Sequence, residues 1–550
     1  MRLSRFYLSL IYLFSFLLTY GQQPLSFSYN FPAYHSEVLP YQLDATLITP
    51  PKGKNGSASL IGRALPAAIS PVKTGEWTSW QGKKIWRCKV KAVGAKGLIL
   101  YPDQMKIPAG GELWIYNNDR TIVFGPYRSN ENPEGGSYAL DVVPSDELTV
   151  EYDAWNEEAM DFPFHINEVG YIFKNIGKAG RDFGNSDVCE VNVNCPEGGN
   201  WQPEKNAVAL ILLKLGGALY NCTGTLINNV RMDCTPYFLT ADHCYQDDQT
   251  GTTATTSELN QWKFYFGFEA SGCSNPSTGN GLQNKVLTGC TYVSSSNDMG
   301  GDNGSDFALL KIKNKPPDSF HVYYAGWDNR NIAADSGVGI HHPNADIKKI
   351  STYKTRLFSD AWGSSVANTH WRIEWAQTAT GHGVTEEGSS GSAIFNPEHL
   401  VIGTLTGGNS YCSSPTENDF YGKMWYHWTS NGSAANRQLK PWLDPDNTGT
   451  ATLNGMWSPC YPAGITEQQL RTGINLAPNP ASSFVKISCA EDFDQIRIFN
   501  VIGEQVVEAK SEKTQNAAVD VRELPAGIFV LEVHSSSGFR AVRTFIKERQ

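Results

Sequence analysis

Short apolar runs separated by turn residues cover most of the chain. Residues 85–91 and 113–116 are strand-like, and Gly, Pro and Asn clusters follow them. Residues 206–213 and 399–405 are largely continuous apolar runs, which predict buried strands. One helix is expected, over residues 434–442. The pattern therefore predicts a mainly β protein with short strands and frequent turns.

These patterns divide the chain, whose 550 residues favour several domains, into five segments. We expect a signal peptide over 1–21, a first unit over 22–183, a middle unit over 184–457, a linker over 458–473 and a last unit over 474–550. The middle unit suits two antiparallel β-barrels, the first a β domain and the last a small β-sandwich. The first unit has no cluster of catalytic residues, and its position before the middle unit favours a removable pro-region.

The composition indicates a folded, exported protein. An aromatic content of 12% and 51 glycines suit a turn-rich globular chain. The net charge of −10, with no sustained basic run, argues against nucleic acid as a partner. Two cations and a short apolar run precede a break at residues 19–22, which is the layout of a signal peptide. After its removal we expect no membrane span, because Lys214 interrupts the apolar run over 207–215.

Eleven cysteines in an exported chain predict disulfides. Eight of them fall in the middle unit: Cys189, Cys195, Cys222, Cys234, Cys244, Cys273, Cys290 and Cys412. Their spacing alone leaves the pairing open, and Cys88, Cys460 and Cys489 stay unassigned. The middle unit has no C-x-x-C or H-x-x-H pair, so we expect no metal, and no other cofactor is implied.

Three motifs in the middle unit carry the chemistry. His243 lies in Leu-Thr-Ala-Asp-His-Cys, Asp306 in Gly-Ser-Asp-Phe-Ala-Leu-Leu, and Ser390 in Glu-Gly-Ser-Ser-Gly-Ser-Ala. A serine hydroxyl becomes a nucleophile when a histidine takes its proton, and a buried carboxylate fixes the tautomer of that histidine. The chain order His, Asp, Ser is that of chymotrypsin-type proteases. These residues therefore predict a serine endopeptidase that acts on proteins or peptides.

The serine motif also offers an oxyanion site. Gly388 can adopt a turn that aims its backbone N–H, with that of Ser390, at a developing oxyanion. Ser389 competes as nucleophile, but only Ser390 has glycines at both −2 and +1. A glycine–serine run is often a flexible turn, so an inactive, protease-like secreted adhesin or binding protein is the alternative. An esterase would place the serine first, in a Gly-x-Ser-x-Gly elbow, which this motif does not match.

On these motifs the middle unit resembles the bacterial lysyl endopeptidases, a branch of the chymotrypsin-fold serine proteases. The resemblance covers about 184–457 and includes residues 189–198, 237–244, 305–307, 325–328, 340–344, 383–386 and 388–392. It implies a chymotrypsin-like double β-barrel. It also implies the disulfides Cys189–Cys412, Cys195–Cys273 and Cys222–Cys244, and we infer that the remaining Cys234 and Cys290 pair with each other.

The resemblance bears on specificity as well. Trypsin carries its basic-pocket aspartate six residues before the nucleophile, where this chain has Val384. The lysyl endopeptidases use an aspartate beyond the nucleophile, which Asp419 matches, and such a carboxylate offsets the desolvation of a lysine ammonium. The family's tryptophan–histidine pair is matched by Trp362 and, in place of the histidine, Thr406. We therefore expect cleavage after Lys, with Arg as a second accepted residue.

The flanking units carry resemblances of their own. The first unit is similar to the pro-region of these proteases, whose mature start aligns near Gly184, with Lys178 and Arg181 as candidate self-cleavage sites. The last unit resembles the C-terminal sorting domains of type IX secretion through residues 478–480, 498–504 and 524–529. That implies recognition by the type IX machinery and passage through the periplasm, followed by release or attachment to the cell surface.

Overall fold

The computed structural model describes residues 23–28, 38–42, 58–80, 82–154, 163–174, 185–246, 251–276, 285–298, 300–363, 366–460, 474–500, 504–535 and 540–548. The predicted signal peptide, most of the predicted linker, and the processing positions Lys178, Arg181 and Gly184 lie outside these ranges. The described chain is mainly β, as the apolar pattern predicts. No helix within the described ranges has the length and hydropathy needed to cross a membrane.

The first unit is built almost entirely from strands. Its described elements are α1 (Leu25–Ser28), β1 (Val38–Tyr41), β2 (Ser59–Ile69), β3 (Glu76–Trp80), β4 (Lys83–Ala92), β5 (Gly97–Met105), β6 (Gly111–Asn117), β7 (Val123–Tyr127), β8 (Glu147–Ala154) and β9 (Phe164–Ile172). One sheet has the order β1-β4-β8-β6-β7, with β3 also paired to β4. The strands β2, β5 and β9 belong to a second sheet, which continues into the middle unit.

The part of that second sheet that lies in the middle unit is antiparallel. Its strands are β10 (Val208–Leu215), β11 (Ala218–Leu226), β12 (Tyr237–Thr240), β13 (Lys263–Phe266), β14 (Val286–Thr288), β15 (Cys290–Ser295) and β16 (Ala308–Ile312). They pair in the order β14-β13-β10-β11-β12-β16-β15. The connections carry α2 (Gln202–Lys205), α3 (Asp242–Tyr245) and α4 (Thr256–Leu259). β10 is buried along its whole length, as its apolar run predicts.

A third sheet follows in the chain. The remaining strands of the middle unit are β17 (Tyr323–Tyr324), β18 (Trp327–Asp328), β19 (Gly337–His341), β20 (Lys349–Tyr353), β21 (Phe358–Asp360), β22 (His370–Glu374), β23 (Ala393–Phe395), β24 (Val401–Gly408), β25 (Asn418–Lys423), β26 (Thr452–Leu453) and β27 (Met456–Trp457). Their main order is β20-β19-β23-β24-β25-β22-β21, with β18 paired to β24 and β26. The second and third sheets give the middle unit its chymotrypsin-like double-barrel fold.

The helices differ from the prediction. The longest described helix is α5 (Met424–Thr429), whose aromatic-rich sequence gives little helical signal. The helix expected over 434–442 is not continuous, because a 3₁₀ turn, Ala435–Arg437, is separated from α6 (Lys440–Leu443) by Gln438. The backbone of Gln438 is extended, with φ −140° and ψ 152°, so the helical hydrogen bonding is interrupted there.

The described residues from 474 onward belong to a separate compact unit. Its strands are β28 (Ile474–Ala477), β29 (Phe484–Asn500), β30 (Gln505–Asp520), β31 (Gly527–His534) and β32 (Arg540–Lys547). They pair antiparallel in the order β28-β29-β31-β32, with β30 on β29. The alternating segments 485–488 and 496–499 are both parts of β29, whose pairing with β30 shifts register between them. A separate buried core, which includes Ile498 and Leu531, lies within this body.

The structure contains the three disulfides that the family resemblance implies. They are Cys189–Cys412, Cys195–Cys273 and Cys222–Cys244. The inferred Cys234–Cys290 pair is wrong. Cys290 is a free thiol, because the pairing of β15 with β16 places its Sγ in the interior, 3.6 Å from the carbonyl oxygen of Leu259, and Cys234 takes part in a different disulfide.

We expect Cys290 to resist thiol reagents in the folded protein, because burial raises the pKa of its thiol and excludes the reagent. Iodoacetamide labelling of a Ser390→Ala variant, chosen to avoid self-digestion, is read by mass spectrometry of non-reduced peptides. The Cys290 peptide should be labelled only after unfolding. A peptide pair joined through Cys234 and Cys290 would contradict the structure.

Candidate active site

The pairing of β12 with β16 brings the histidine and aspartate motifs together. Thr240, the last residue of β12, lies opposite Ala308, the first residue of β16. His243 follows on α3, and Asp306 lies just before β16. Two segments that are distant in sequence therefore meet at one end of the sheet.

His243 and Asp306 share two hydrogen bonds. The ring Nδ1 of His243 donates to Asp306 Oδ2 at 2.8 Å, and the His243 backbone N–H donates to Oδ1 at 3.1 Å. Burial opposes ionisation of Asp306, but the charge and hydrogen bonds of His243 outweigh it, so the pKa of Asp306 lies below its usual value. This contact fixes the tautomer in which Nε2 is the atom able to take a proton from a hydroxyl.

Two further buried carboxylates stand behind Asp306. The Asp306 backbone N–H donates to Asp298 Oδ2 at 2.8 Å, and the Asp298 N–H donates to Asp242 Oδ2 at 3.2 Å. Burial, followed by the charges of neighbouring carboxylates, raises the pKa of Asp298 to about 6 and that of Asp242 to about 7. Asp306 is therefore the most readily ionised of the three. Sequence analysis missed this arrangement, although Asp242 stands directly before His243.

Ser390 lies where the second and third sheets meet. Its carbonyl oxygen accepts the N–H of Thr223 on β11 at 2.9 Å and lies 3.8 Å from Cys244 Sγ, in the residue after the histidine. The N–H of the following residue, Gly391, donates to the carbonyl of Leu405 on β24. These contacts hold the serine motif beside the histidine motif.

Ser389, the competing nucleophile, is engaged in the interior. Its Oγ lies 2.8 Å from His341 Nδ1 and accepts the backbone N–H of Glu386 at 3.2 Å. The other ring nitrogen of His341 lies 3.1 Å from Ser351 Oγ, so this histidine makes internal contacts through both nitrogens. Ser390, by contrast, lines a pocket. Ser390 is only 2% exposed, but it reaches the pocket, whereas Ser389 is enclosed by internal contacts.

The backbone at Gly388 requires glycine. Its φ is +89°, a region that side-chain-bearing residues rarely adopt. A Cβ at this position would lie 2.2 Å from Asn221 Nδ2. The Gly388 carbonyl also accepts the hydroxyl of Thr223 at 2.9 Å, which fixes the orientation of the peptide that precedes Ser389.

A pocket opens beside Ser390. It is lined by Thr385, Glu386, Glu387, Ser390, Leu405, Gly407, Gly408, Ser410 and Tyr411. The lining therefore provides two carboxylates, three hydroxyls besides that of Ser390, and the backbone of two glycines. This composition suits a cationic side chain with an aliphatic stem.

Asp419 lies directly behind this lining. Asp419 lies on β25, opposite Gly408 of β24, and is fully buried. Its carboxylate accepts hydrogen bonds from the hydroxyls of Ser410 and Thr385, at 2.5 and 2.7 Å, and from Trp375 Nε1 at 2.7 Å. Burial raises the pKa of Asp419 to about 6, and these hydrogen bonds oppose the rise.

Trp362 and Thr406 flank a histidine that sequence analysis did not identify. His370 Nε2 lies 3.0 Å from Thr406 Oγ1, and the rings of Trp362 and His370 are 6.5 Å apart. Burial lowers the pKa of His370 to about 4, so it is neutral at neutral pH. Its local sequence, Thr-His-Trp, carries no signal of this role, because the contact depends on the pairing of β22 beside β25.

Two family profiles match the chain. The profile of the lysyl endopeptidase C-terminal domain matches residues 183–422, and that of the secretion system C-terminal sorting domain matches residues 475–548. A lysyl endopeptidase of Pseudomonas aeruginosa is 30% identical over a match of 399 residues, and the match covers 67% of this chain and 79% of that protein.

Several solved protease structures are also similar to part of the chain. A thermostable serine protease from an extremophilic microorganism is 15% identical and covers 40% of this chain and 92% of its own, with a TM-score of 0.29. A Glu endopeptidase in complex with MPD is 18% identical, with coverages of 45% and 93% and a TM-score of 0.26. The protease Anisep from Arthrobacter nicotinovorans is 16% identical, with coverages of 40% and 92% and a TM-score of 0.29.

We expect Gly388→Ala to lower kcat/KM for peptide hydrolysis by about 10²–10³, because the new Cβ displaces the loop whose backbone N–H groups are the predicted oxyanion donors. Gly272→Ala is the matched control, since a Cβ there meets nothing within 4 Å. The rate of hydrolysis of one peptide amide and the midpoint of thermal unfolding are measured for the parent and for both variants. A Gly388→Ala enzyme within threefold of the parent would contradict this account of the loop.

Proposed function

The chain belongs to the lysyl endopeptidase family of serine proteases, and on that premise we propose that it cleaves peptide bonds on the carboxyl side of lysine with Ser390, His243 and Asp306. Serine endopeptidase action follows from the family. The residues that perform it and the preference for lysine are the proposal. The observation that carries this preference is the buried carboxylate of Asp419 behind the pocket beside Ser390.

In the proposed mechanism His243 acts as base and then as acid. Its Nε2 takes the Ser390 Oγ proton as the oxygen attacks the carbonyl carbon of the substrate, and Asp306 stabilises the imidazolium. The backbone N–H groups of Gly388 and Ser390 stabilise the oxyanion. The imidazolium then protonates the leaving amine, the C–N bond breaks, and an ester to Ser390 remains. Water, deprotonated by His243, hydrolyses this ester by the same steps in reverse.

In this proposal the lysine ammonium binds two hydroxyl groups and does not contact the carboxylate of Asp419 directly. Thr385 and Ser410 each use their only hydroxyl hydrogen to bond Asp419. Ser410 Oγ also accepts the backbone N–H of Thr385 at 3.3 Å, so one lone pair remains on Ser410, and the Thr385 oxygen can likewise accept a hydrogen bond from a lysine ammonium in the pocket. The negative charge of Asp419 reaches the ammonium through these polarised hydroxyls, and Glu387 adds a carboxylate at the lining.

The last unit supports an exported role. It carries a secretion system C-terminal sorting domain over residues 475–548. We propose that the type IX machinery recognises it after the signal peptide over 1–21 has directed the chain to the periplasm, and that the protease acts outside the cell or on its surface. Its partners are then this machinery and its protein or peptide substrates.

The decisive experiment is a digest of a denatured protein by the processed enzyme, read by mass spectrometry beside Ser390→Ala. We expect cleavage mainly after Lys, with less after Arg, and a fall in activity of about 10⁶ in the variant. Cleavage dominated by aromatic or aliphatic residues would overturn the lysine assignment. Loss of all cleavage in correctly folded enzyme, with no labelling of Ser390 by a fluorophosphonate, would favour the inactive binding protein instead.

Asp419→Asn tests the pocket separately from the triad. Removing the charge should lower kcat/KM for lysyl substrates roughly 10- to 100-fold, which is the effect of one charge-assisted hydrogen bond. The kcat/KM for a norleucyl substrate should change little. Asp444→Asn is the matched control, because Asp444 is also buried and accepts backbone N–H groups, from Thr448 and Gly449. Equal losses on both substrates would indicate a structural role for Asp419.

Binding of lysine should depend on pH. Because burial raises the pKa of Asp419 to about 6, the carboxylate is charged only above that pH, and lysine binding should tighten as pH rises through about 6. The affinity of Ser390→Ala for a lysyl peptide and its norleucyl analogue, measured by calorimetry, tests this without turnover. Since burial also raises the pKa of Glu386, to about 7, a transition that persists in Asp419→Asn would assign the effect to Glu386 instead.

A further inference from the structure

The backbone of Asp306 has a conformation that needs support. Its φ is +56°, in the left-handed region that residues with a side chain rarely adopt. In this conformation its carboxylate meets both the ring Nδ1 and the backbone N–H of His243, at 2.8 and 3.1 Å. A return of the Asp306 backbone to an extended or helical conformation would turn the carboxylate away. The contact with His243 therefore depends on what holds the backbone of this one residue.

Asp298 supports Asp306 with its carboxylate. Asp298 Oδ2 accepts the backbone N–H of Asp306 at 2.8 Å, and Asp298 Oδ1 accepts the backbone N–H of Gly301 at 3.1 Å. Asp298 is only 2% exposed, so water does not compete for these hydrogen bonds. One buried carboxylate thus ties the turn at Gly301 to the residue that bonds His243.

The connection between β15 and β16 is shaped to bring Asp298 to Asp306. Its ends are joined by the backbone N–H of Ser296, which donates to the carbonyl of Phe307 at 2.8 Å. A Cβ on Gly304 would collide with Asp298 Oδ2. Glycine at this position therefore lets the carboxylate approach the Asp306 backbone.

A second carboxylate holds Asp298 in turn. Asp242 Oδ2 accepts the backbone N–H of Asp298 at 3.2 Å, and Asp242 directly precedes His243 on α3. His243 and Asp306 are therefore connected twice. One connection is their direct contact, and the other runs from α3 through Asp242 and Asp298 to the Asp306 backbone.

We propose that Asp298 is a positioning residue of the protease, which fixes the backbone of Asp306 so that its carboxylate stays on His243 during the reaction. It acts through Asp306 and takes no part in the bonds that form and break. An ionised carboxylate accepts hydrogen bonds with both oxygens, whereas asparagine has one acceptor and an amide nitrogen that would face the other N–H group. The inference rests on the proposed triad.

The first test is the kinetics of Asp298→Asn. We expect kcat for a lysyl amide to fall about 10- to 100-fold and KM to stay within about threefold, because displacement of Asp306 affects the transition state and not substrate binding. The assays are run at about pH 8, above the pKa of about 6 to which burial raises that of Asp298, so that the parent carboxylate is ionised. A kcat within threefold of the parent would overturn the proposal.

Two further variants control for folding. Asp328→Asn is the matched control, because Asp328 is also buried and accepts a backbone N–H, from Arg330 at 2.9 Å, and it should keep the parent kcat. Gly304→Ala displaces the Asp298 carboxylate and keeps its charge. We expect it to lower kcat as Asp298→Asn does. A Gly304→Ala enzyme with the parent kcat would contradict the proposal even if Asp298→Asn failed to fold.

A double-mutant cycle shows whether Asp298 acts through Asp306. Asp306→Asn should lower kcat by about 10⁴, and the addition of Asp298→Asn should then change kcat by less than about twofold. The same fold-loss in both backgrounds would assign Asp298 a general structural role and refute the proposal. An active Asp306→Asn enzyme would refute the triad and this inference together. An inactive Asp306→Asn enzyme beside a fully active Asp298→Asn enzyme would refute the inference alone.

A spectroscopic measurement needs no turnover. In Ser390→Ala, the His243 Nδ1 proton that is bonded to Asp306 should give a low-field ¹H NMR signal. Adding Asp298→Asn should move this signal upfield or broaden it through exchange with water, whereas adding Asp328→Asn should leave it in place. An unchanged signal in a folded protein that carries Asp298→Asn would show that Asp306 is held without Asp298, and would overturn the proposal.

Discussion

Backbone pairing along β11 is the constraint on which the rest of the site depends. This strand pairs with β10, β12 and β2, so it is fixed on both edges. From it, Thr223 bonds both Ser390 and Gly388, Cys222 is linked to Cys244 beside the histidine, and Asn221 packs against Gly388. A strand held in this way cannot shift without moving Ser390, the Gly388 loop and His243 together.

Burial of carboxylates is the second organising feature. Asp306, Asp298, Asp242 and Asp419 are all removed from water, yet their protonation differs with their partners. A histidine makes the ionised form of Asp306 favourable, whereas burial, reinforced by acidic neighbours, favours the neutral forms of Asp298 and Asp242. Asp419 has only neutral donors, so its charge is compensated in part and stays available to a cationic side chain. The same carboxylate group therefore differs in protonation from one of these positions to another.

Sequence analysis identifies features that have a local pattern, and it misses contacts that depend on the register between distant strands. The strand character of residues 206–213, the His243 and Asp306 motifs and the Ser390 loop each have a local signature. Other features depend on pairings between distant segments, for which one sequence carries no signal. These are the pairing of β12 with β16, the contact of His370 with Thr406 and the pairing of β11 with β2. The Cys234–Cys290 error has the same origin, because the direction of the Cys290 side chain is set by the register of β15.

The Cys222–Cys244 bond joins β11 to the helix of His243 across 22 residues. Such a bond persists only where thiols are oxidised, and the bacterial cytoplasm keeps them reduced. A newly made chain therefore lacks one of the bonds that hold His243 beside Ser390 for as long as it shares a compartment with the proteins of its producer. Oxidation after export completes that tie, so the chemistry of the surroundings protects the cell from its own enzyme.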